Sequence, residues 1–358
     1  MKILDWYILK RYLATFVGML LLFIPIAITV HLAEKIGKII ESSATGAEIA
    51  QYLLDFTIYF AHLLFPLFLF LSVIWFTSKL ANNTEIVAFL SSGVSFSRFL
   101  RPYLYGAIIV AAFSILLGLY LAPNASKGFN SFKYKYLSKD VNAESSGNVM
   151  KQINENEIIY VSNFDATQNI GYNFSLEHFE KGKMTHKISA TTIKYIEEDS
   201  TYLLRSYFLR HIGENNDAFV QERKKDTIFD FDLEDLTPES YIAETKSYGD
   251  LVRFIEREEM RGSKNIGRYK LELYRKWSLP ISVFILTIIA VSVSSIKRRG
   301  GMGANLAFGI GVAMVFVFFD KIFGTLASQS DFPPLIAVWF PNVVFAILAI
   351  FLLRNAKR

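Results

Sequence analysis

The feature that most constrains this chain is an interruption. Long apolar stretches occupy residues 12–30, 52–76 and 104–122, give way to a large polar insert over 124–268, and resume at 277–296, 306–319 and 335–353. A hydrocarbon layer needs roughly 20 apolar residues per helix. Five of the stretches qualify, and the shorter 306–319 extends back through the glycine-rich 301–304. The composition, 52% hydrophobic with 15% aromatic and 20% charged residues, exceeds the usual apolar share of soluble domains. The expected fold class is therefore an α-helical polytopic membrane protein of six transmembrane helices with an inserted extramembrane domain. The first stretch is too long for a signal peptide and no small-residue cleavage site follows it, so it is expected to remain as a span.

Lysine and arginine placement in short loops sets the expected orientation. One side carries Lys2, Lys10 and Arg11, then Lys79, Arg98 and Arg101, then Lys297, Arg298 and Arg299, then Arg354, Lys357 and Arg358. The other carries Lys35 and Lys38 among Glu34, Glu41 and Glu48, and Lys321 beside Asp320. Both termini are expected in the cytoplasm and the insert outside. Lys270, Arg275 and Lys276 then fall on the outer side, which the rule allows because long translocated domains do not obey it. The net charge of +5 mostly reflects the inner anchors and is not read as nucleic-acid binding. Without cysteine there is no disulfide, thiol catalysis or thiolate metal site.

Within the insert, short runs of β-branched and aromatic residues predict strands at 157–163, 170–179, 184–197, 201–212 and 227–233. Polar turns join them at 180–183, 198–200 and 213–217. Alternation of Ile188, Ala190, Thr192 and Lys194 against Ser189, Thr191, Ile193 and Tyr195 predicts an antiparallel sandwich with one buried face. A helix follows at 248–261, and another runs from Tyr269 into the fourth span. Phosphate-loop, H-E-x-x-H and G-x-S-x-G motifs do not occur, so nucleotide hydrolysis is assigned elsewhere. Gly300, Gly301, Gly303, Gly309 and Gly311 are read as close helix packing. Of the five histidines, His178, His186 and His211 lie on the strands; no metal site and no cofactor is assigned.

Ionisable groups at membrane depth default to functional hypotheses. Asp55 and His62 share a face of the second span, either as a proton relay or as a solvated Asp55 with His62 bonded inside the bundle. His31, Lys35 and Lys38 follow i, i+4, i+7 where the first span emerges outside. That stripe either meets anionic lipid phosphates or is an exposed helix end in which Glu34 pairs with Lys38. Asp320 and Lys321 pose the same choice on the fifth span. Lys270, Arg275 and Lys276 add charge at the mouth of the fourth. On the inner side, residues 84–93 predict a short helix with Thr84 or Asn83 as N-cap, Glu85 in the first turn and Gly93 as the stop. So short a helix is marginal alone; it docks either on the membrane interface or on a cytoplasmic partner.

The order of these parts resembles the lipopolysaccharide-export permease family LptF/LptG, and within it the LptG branch. Leu4-Asp5-Trp6-Tyr7-Ile8 is similar to the family's L-D-R-Y-I, with Trp6 in place of arginine, so no ionic role carries over to that position. Phe65-Pro66 matches F-P in span two; Glu85, Ser92 and Gly93 match E…S-G in the ATPase-coupling helix. Gly267-Arg268-Tyr269 matches G-R-Y, and Pro280-Ile281-Ser282-Val283 resembles P-L-S-V. Asp320-Lys321-Ile322-Phe323-Gly324 resembles D-Q-I-F-G in span five, and Pro333-Pro334 the P-P that follows.

The resemblance implies a β-jellyroll outer domain at 124–268, with transmembrane helices 1–3 and the coupling helix 84–93 in 1–123, and helices 4–6 in 269–358. It implies an ABC transporter permease that extracts lipopolysaccharide from the inner membrane and passes it to a periplasmic bridge. Its partners would be a cytoplasmic LptB-like ATPase dimer, an LptF-like second permease and LptC/LptA-like bridge proteins. Glu85, Ile86, Phe89, Ser92 and Gly93 would couple to the ATPase. His31, Lys35, Lys38, Asp320, Lys321, Lys270 and Arg275 would line the lateral gate and lipid cavity, with His31 where G-type subunits carry a lysine. Two rivals remain: an intramembrane enzyme with Asp55 and His62 as acid and base, and a membrane-tethered sensor or scaffold.

Overall fold

The computed structural model describes residues 2–137, 149–165, 170–196, 201–213, 216–231, 236, 242–263, 265–296 and 301–356. Six helices are long and apolar enough to cross a membrane: Ile3–Glu41, Gly46–Asn82, Phe96–Phe132, Ile266–Ser294, Met302–Gln329 and Pro334–Ala356. In chain order the helices before the strands are α1 (Ile3–Glu41), α2 (Gly46–Asn82), α3 (Glu85–Ser91), α4 (Phe96–Leu116) and α5 (Ala122–Phe132). After the strands come α6 (Ile242–Thr245), α7 (Tyr248–Met260), α8 (Ile266–Ser294), α9 (Gly301–Gln329) and α10 (Pro334–Ala356). The π turn Leu117–Leu121 joins α4 to α5 within one span.

The helices outrun the apolar stretches that announced them. At 1.5 Å per residue the 39-residue α1 is about 58 Å long, well beyond a hydrocarbon core of about 30 Å. Hydropathy marks only the part in lipid; polar residues carry the helix onward where a cap starts it. At α2 the Thr45 N–H donates to Glu48 Oε2 (2.9 Å) and the Glu48 N–H to Thr45 Oγ1 (3.4 Å), a reciprocal cap. Ser247 caps α7 by accepting from the Asp250 N–H.

α8 is the centre of the bundle: 72% of its apolar window is buried, against 6% for α1 and 17% for α9. Around it Tyr12, Phe65, Leu69, Val73, Phe99, Tyr103 and Ile289 form the main core. Gly309 fits the expected close-packing role, since any Cβ there would collide with Ile74. Gly303 and Gly311 do not, because both face open space.

The insert holds β1 (Val149–Asn154), β2 (Glu157–Val161), β3 (Asn163–Asp165), β4 (Ile170–Glu180), β5 (Lys183–Ile196), β6 (Thr201–His211) and β7 (Ala218–Thr227). They form one antiparallel sheet in the order β1-β2-β4-β5-β6-β7, with β3 on β4. The expected antiparallel domain is thus one continuous hydrogen-bonded sheet among the described residues. Its last strand is displaced: β7 ends at Thr227, where the sequence reading began a strand. That strand, Ala-Phe-Val-Gln-Glu-Arg-Lys-Lys-Asp-Thr, lies at the sheet edge with most of its residues exposed, so it carries no hydrophobic alternation to detect. The 180–183 turn is as expected, with Lys181 (φ 49°) and Gly182 (φ 77°) as the two central residues of a tight hairpin.

One apolar cluster gathers Val149, Ile159, Val161, Phe174, Leu176, Ile193, Leu204, Tyr207 and Phe231. Burial changes parity in a shared row, from Gly171, Ile193 and Leu204 to Phe174, Ala190 and Tyr207, and the intervening Asn173 and Ser206 have φ of 51° and 54°. The kink lets both halves of the sheet feed the same cluster. The 198–200 turn, Leu233, Lys297, Arg298, Arg299, Gly300, Lys357 and Arg358 lie outside the described residues.

Candidate functional site

At the C-terminal end of α1 the expected basic stripe divides. His31 Nε2 lies 2.6 Å from Tyr52 Oη, and its ring stacks on Phe56 at 4.1 Å and 8°. It is therefore packed inward on α2. Lys35 pairs with Glu34 at 2.6 Å, in place of the expected Glu34–Lys38 pair. Lys38 Nζ donates to the Leu137 carbonyl at 3.4 Å and is otherwise exposed.

The fourth and fifth spans carry the rest. Lys270 is ion-paired with Glu259 on α7. Arg275 Nη1 donates to Glu272 Oε1 at 2.8 Å and Nη2 to Asp320 Oδ2 at 3.1 Å, which joins α8 to α9. Lys276 Nζ donates to the Gly118 carbonyl in the π turn at 2.9 Å. Such turns release a carbonyl from the helix ladder, and here a lysine takes it. Lys321 is exposed, with no ion pair among the described residues. The structure thus brings Arg275 to Asp320, while His31, Lys35 and Lys38 belong to a different helix neighbourhood, α1 on α2 and α4. Between α9 and α10 an apolar groove of about 280 Å³ is lined by Phe308, Gly311, Val312, Val315, Phe345 and Leu348.

In the connection between α2 and α4, α3 runs from Glu85 to Ser91. Thr84 occupies the N-cap position, but its side chain does not cap. The tight exit from α2 puts it at φ 61° and its hydroxyl donates to the Asn83 carbonyl at 2.6 Å. Glu85 instead is held by Tyr7 Oη (2.8 Å) and Asn83 Nδ2 (3.2 Å). Ile86 is buried and Phe89 stands 6.4 Å from the Phe99 ring, whereas Val87 and Leu90 are exposed. Ser92 Oγ donates to the Phe89 carbonyl, and Gly93 at φ 83° closes the helix in a conformation that favours glycine. Beside it Arg98 grips the buried Asp5 with both nitrogens, at 2.7 and 2.8 Å. Sequence reasoning gave Tyr7 no role and counted Arg98 only as an inner charge; their partners are 78 and 93 residues away, out of reach of any local pattern.

Asp55 is only 7% exposed, accepts from Gln51 Nε2 at 3.2 Å and packs against Gly128, which corrects the expected solvated carboxylate. His62 lies against Gly118, and its Nδ1 is buried without a hydrogen-bond partner, so the expected bond inside the bundle is not made through that atom. The two do not bond to each other among the described residues, so no acid–base pair is assembled. On the sheet, His178, His186 and His211 stand in register on β4, β5 and β6. Among the described residues no group of three or more His, Cys, Asp or Glu is placed to hold a metal.

Residues 6–355 match the model of the family described as lipopolysaccharide export system permease LptF/LptG. The chain is 20% identical over 361 residues, 99% of its own length and 98% of the relative's, to lipopolysaccharide export system permease protein LptG of Escherichia coli strain K12. It is 19% identical, with 82% of each chain covered, to the protein of that name in Haemophilus influenzae. With the match running from the first helix to the last, the chain belongs to the lipopolysaccharide export system permease LptF/LptG family, and its six-span body is that of a transport subunit.

Proposed function

We propose that this chain is one permease half of an ABC exporter that lifts lipopolysaccharide out of the inner membrane and hands it to a periplasmic bridge. In this reading both termini are cytoplasmic and the β domain is periplasmic. A homologous LptF-like permease pairs with the chain, an LptB-like ATPase dimer docks below, and LptC/LptA-like proteins receive the lipid from the sheet. Lys35, Lys38 and Lys321 meet lipid phosphates at the gate, with Lys270, Arg275 and Asp320 behind them. His31 shapes the wall through its aromatic packing.

α3 is the observation that carries the proposal. It is tied to α1 through Glu85 and Tyr7, rooted in the core by Ile86, and leaves Val87 and Leu90 exposed on the inner side. Apolar side chains on so short a helix fit a partner surface. α1 and α9, the two least buried spans, fit a bundle whose other walls come from a second permease and from lipid.

The test is to tag the chain, extract it gently from its native membrane and identify what accompanies it. A small cytoplasmic ATPase and a second permease of similar size are expected. A Val87→Asp/Leu90→Asp variant should lose the ATPase while keeping the second permease. A chain that crosslinks to no ATPase, or a double variant that keeps it, would overturn the proposal.

A further inference from the structure

We propose that the Arg275–Asp320 ion pair is a latch holding α9 against α8, and that an anionic lipid phosphate opens it by drawing Arg275 away from Asp320. The inference rests on the lipid-export reading above and deepens it.

The latch is built by both helices. Arg275 is steadied from its own helix by Glu272, one turn away, at 2.8 Å, and reaches across to Asp320 at 3.1 Å. One turn beyond Asp320, Gly324 leaves room for the guanidinium: a Cβ there would stand 2.7 Å from Nη2 and push the arginine's end aside. Leu271, one turn from Arg275 on the other side, closes the slot against Gly324. Each member lies nine residues from the outer end of its helix, about 14 Å along the axis. At that depth a lipid headgroup sinking into the outer leaflet arrives beside the pair.

The pair is reachable and exchangeable. The side chains of Arg275 and Asp320 are 25% and 36% exposed, so an incoming group can reach both. α9 is, after α1, the least buried span, with 17% of its apolar window buried. A phosphate offers the guanidinium a bidentate acceptor carrying more charge than a carboxylate. Lys321, on the same turn as Asp320 and exposed without an ion pair among the described residues, supplies a second cation for the incoming group. Phosphate binding then replaces the link that fastened α9, and the span is free to move.

The chain has no cysteine, so spin labels can be placed at Ile281→Cys on α8 and Thr325→Cys on α9, both exposed. The distance between them is measured in the assembled complex, in nanodiscs of phosphatidylcholine with lipopolysaccharide or with the same lipid stripped of its phosphates. Lipopolysaccharide should lengthen the distance, and the dephosphorylated lipid should not. Asp320→Asn should give the long distance in every lipid. The charge reversal Arg275→Asp/Asp320→Arg should restore the short distance in phosphatidylcholine alone, an arginine again being paired with an aspartate across the two helices. An unchanged distance with lipopolysaccharide, or a short distance in Asp320→Asn, overturns the latch. If ATP still drives lipid export while the distance stays fixed, the latch fails and the permease reading stands. A complex that neither binds nor moves the lipid rejects that reading itself.

Discussion

Glu85 has two donors and no free choice of position. Tyr7 comes from α1 and Asn83 from the turn before α3, so its carboxylate records the spacing between α1 and α3. Hydrogen bonds to charged groups contribute about 1.5–3 kcal/mol. Tyr7→Phe should therefore loosen α3 without unfolding the bundle and lower recovery of the ATPase. Glu85→Ala should abolish ATP-driven export while the chain remains inserted and paired with its second permease. Both are checked by membrane fractionation and co-purification, and normal export by Glu85→Ala would refute the assignment. A second residue-scale prediction separates His31 from its neighbours. Its ring is engaged by Tyr52 and Phe56, so His31→Phe should leave photocrosslinking of lipopolysaccharide to α1 within about twofold of the unaltered chain, the loss of one hydrogen bond being worth about 1 kcal/mol of packing. Lys35→Glu/Lys38→Glu should reduce it severalfold.

At the scale of elements, the β domain is fastened to α7, the helix that leads out of it toward α8. Lys151 on β1 meets Glu258 on α7 at 2.9 Å, with side chains 4% and 0% exposed, and Arg261 joins both Glu258 and the Ile153 carbonyl. Removing one partner of a buried pair typically costs about 3–5 kcal/mol. Glu258→Ala should lower the unfolding temperature of the domain and raise hydrogen exchange along β1, while Glu258→Gln should do so less. Equal exchange in all three proteins would show that the pair is not the fastening. The histidine row adds a pH dependence. Burial, with His178 and His211 alongside, holds the His186 imidazole below its ordinary 6.5, against the opposing pull of Glu157 and Glu180. Folding therefore favours the neutral ring: this contribution is complete above 6.5 and is lost as pH falls through the depressed value. Hydrogen exchange at that end of β4, β5 and β6 should rise on mild acidification, and His186→Asn should flatten the response.

The legibility of the elements follows their physics. Spans announce themselves by composition, and β4, β5 and β6 by runs of β-branched and aromatic residues. β7 is polar along its length and β3 has three residues, so neither has a pattern to read. Single cations were visible, but whether each faces lipid or an acidic neighbour depends on tertiary pairing. Hence Arg275 and Lys270 were legible as charges and not as the ion-paired residues they are.

The whole molecule is a multi-pass inner-membrane protein of the lipopolysaccharide export system, with α8 at its centre and α1 and α9 nearly bare. That uneven burial leaves apolar faces of two spans without protein cover, and they have to meet lipid or another apolar surface, since neither can be left against water. The order of spans, the short helix α3 and the β insert was readable from sequence because hydropathy, capping and motif order are local. The contacts that make a machine of them, Tyr7 to Glu85, Asp5 to Arg98, Arg275 to Asp320, join residues far apart in the chain. The central claim is that this body moves lipopolysaccharide when a partner hydrolyses ATP. The direct measurement reconstitutes the complete assembly, purified through this chain, into lipopolysaccharide-loaded vesicles, and follows transfer of the lipid to a soluble acceptor after ATP is added. The account predicts ATP-dependent transfer that disappears with Glu85→Ala; ATP hydrolysis by an intact assembly with no transfer of lipid would contradict it.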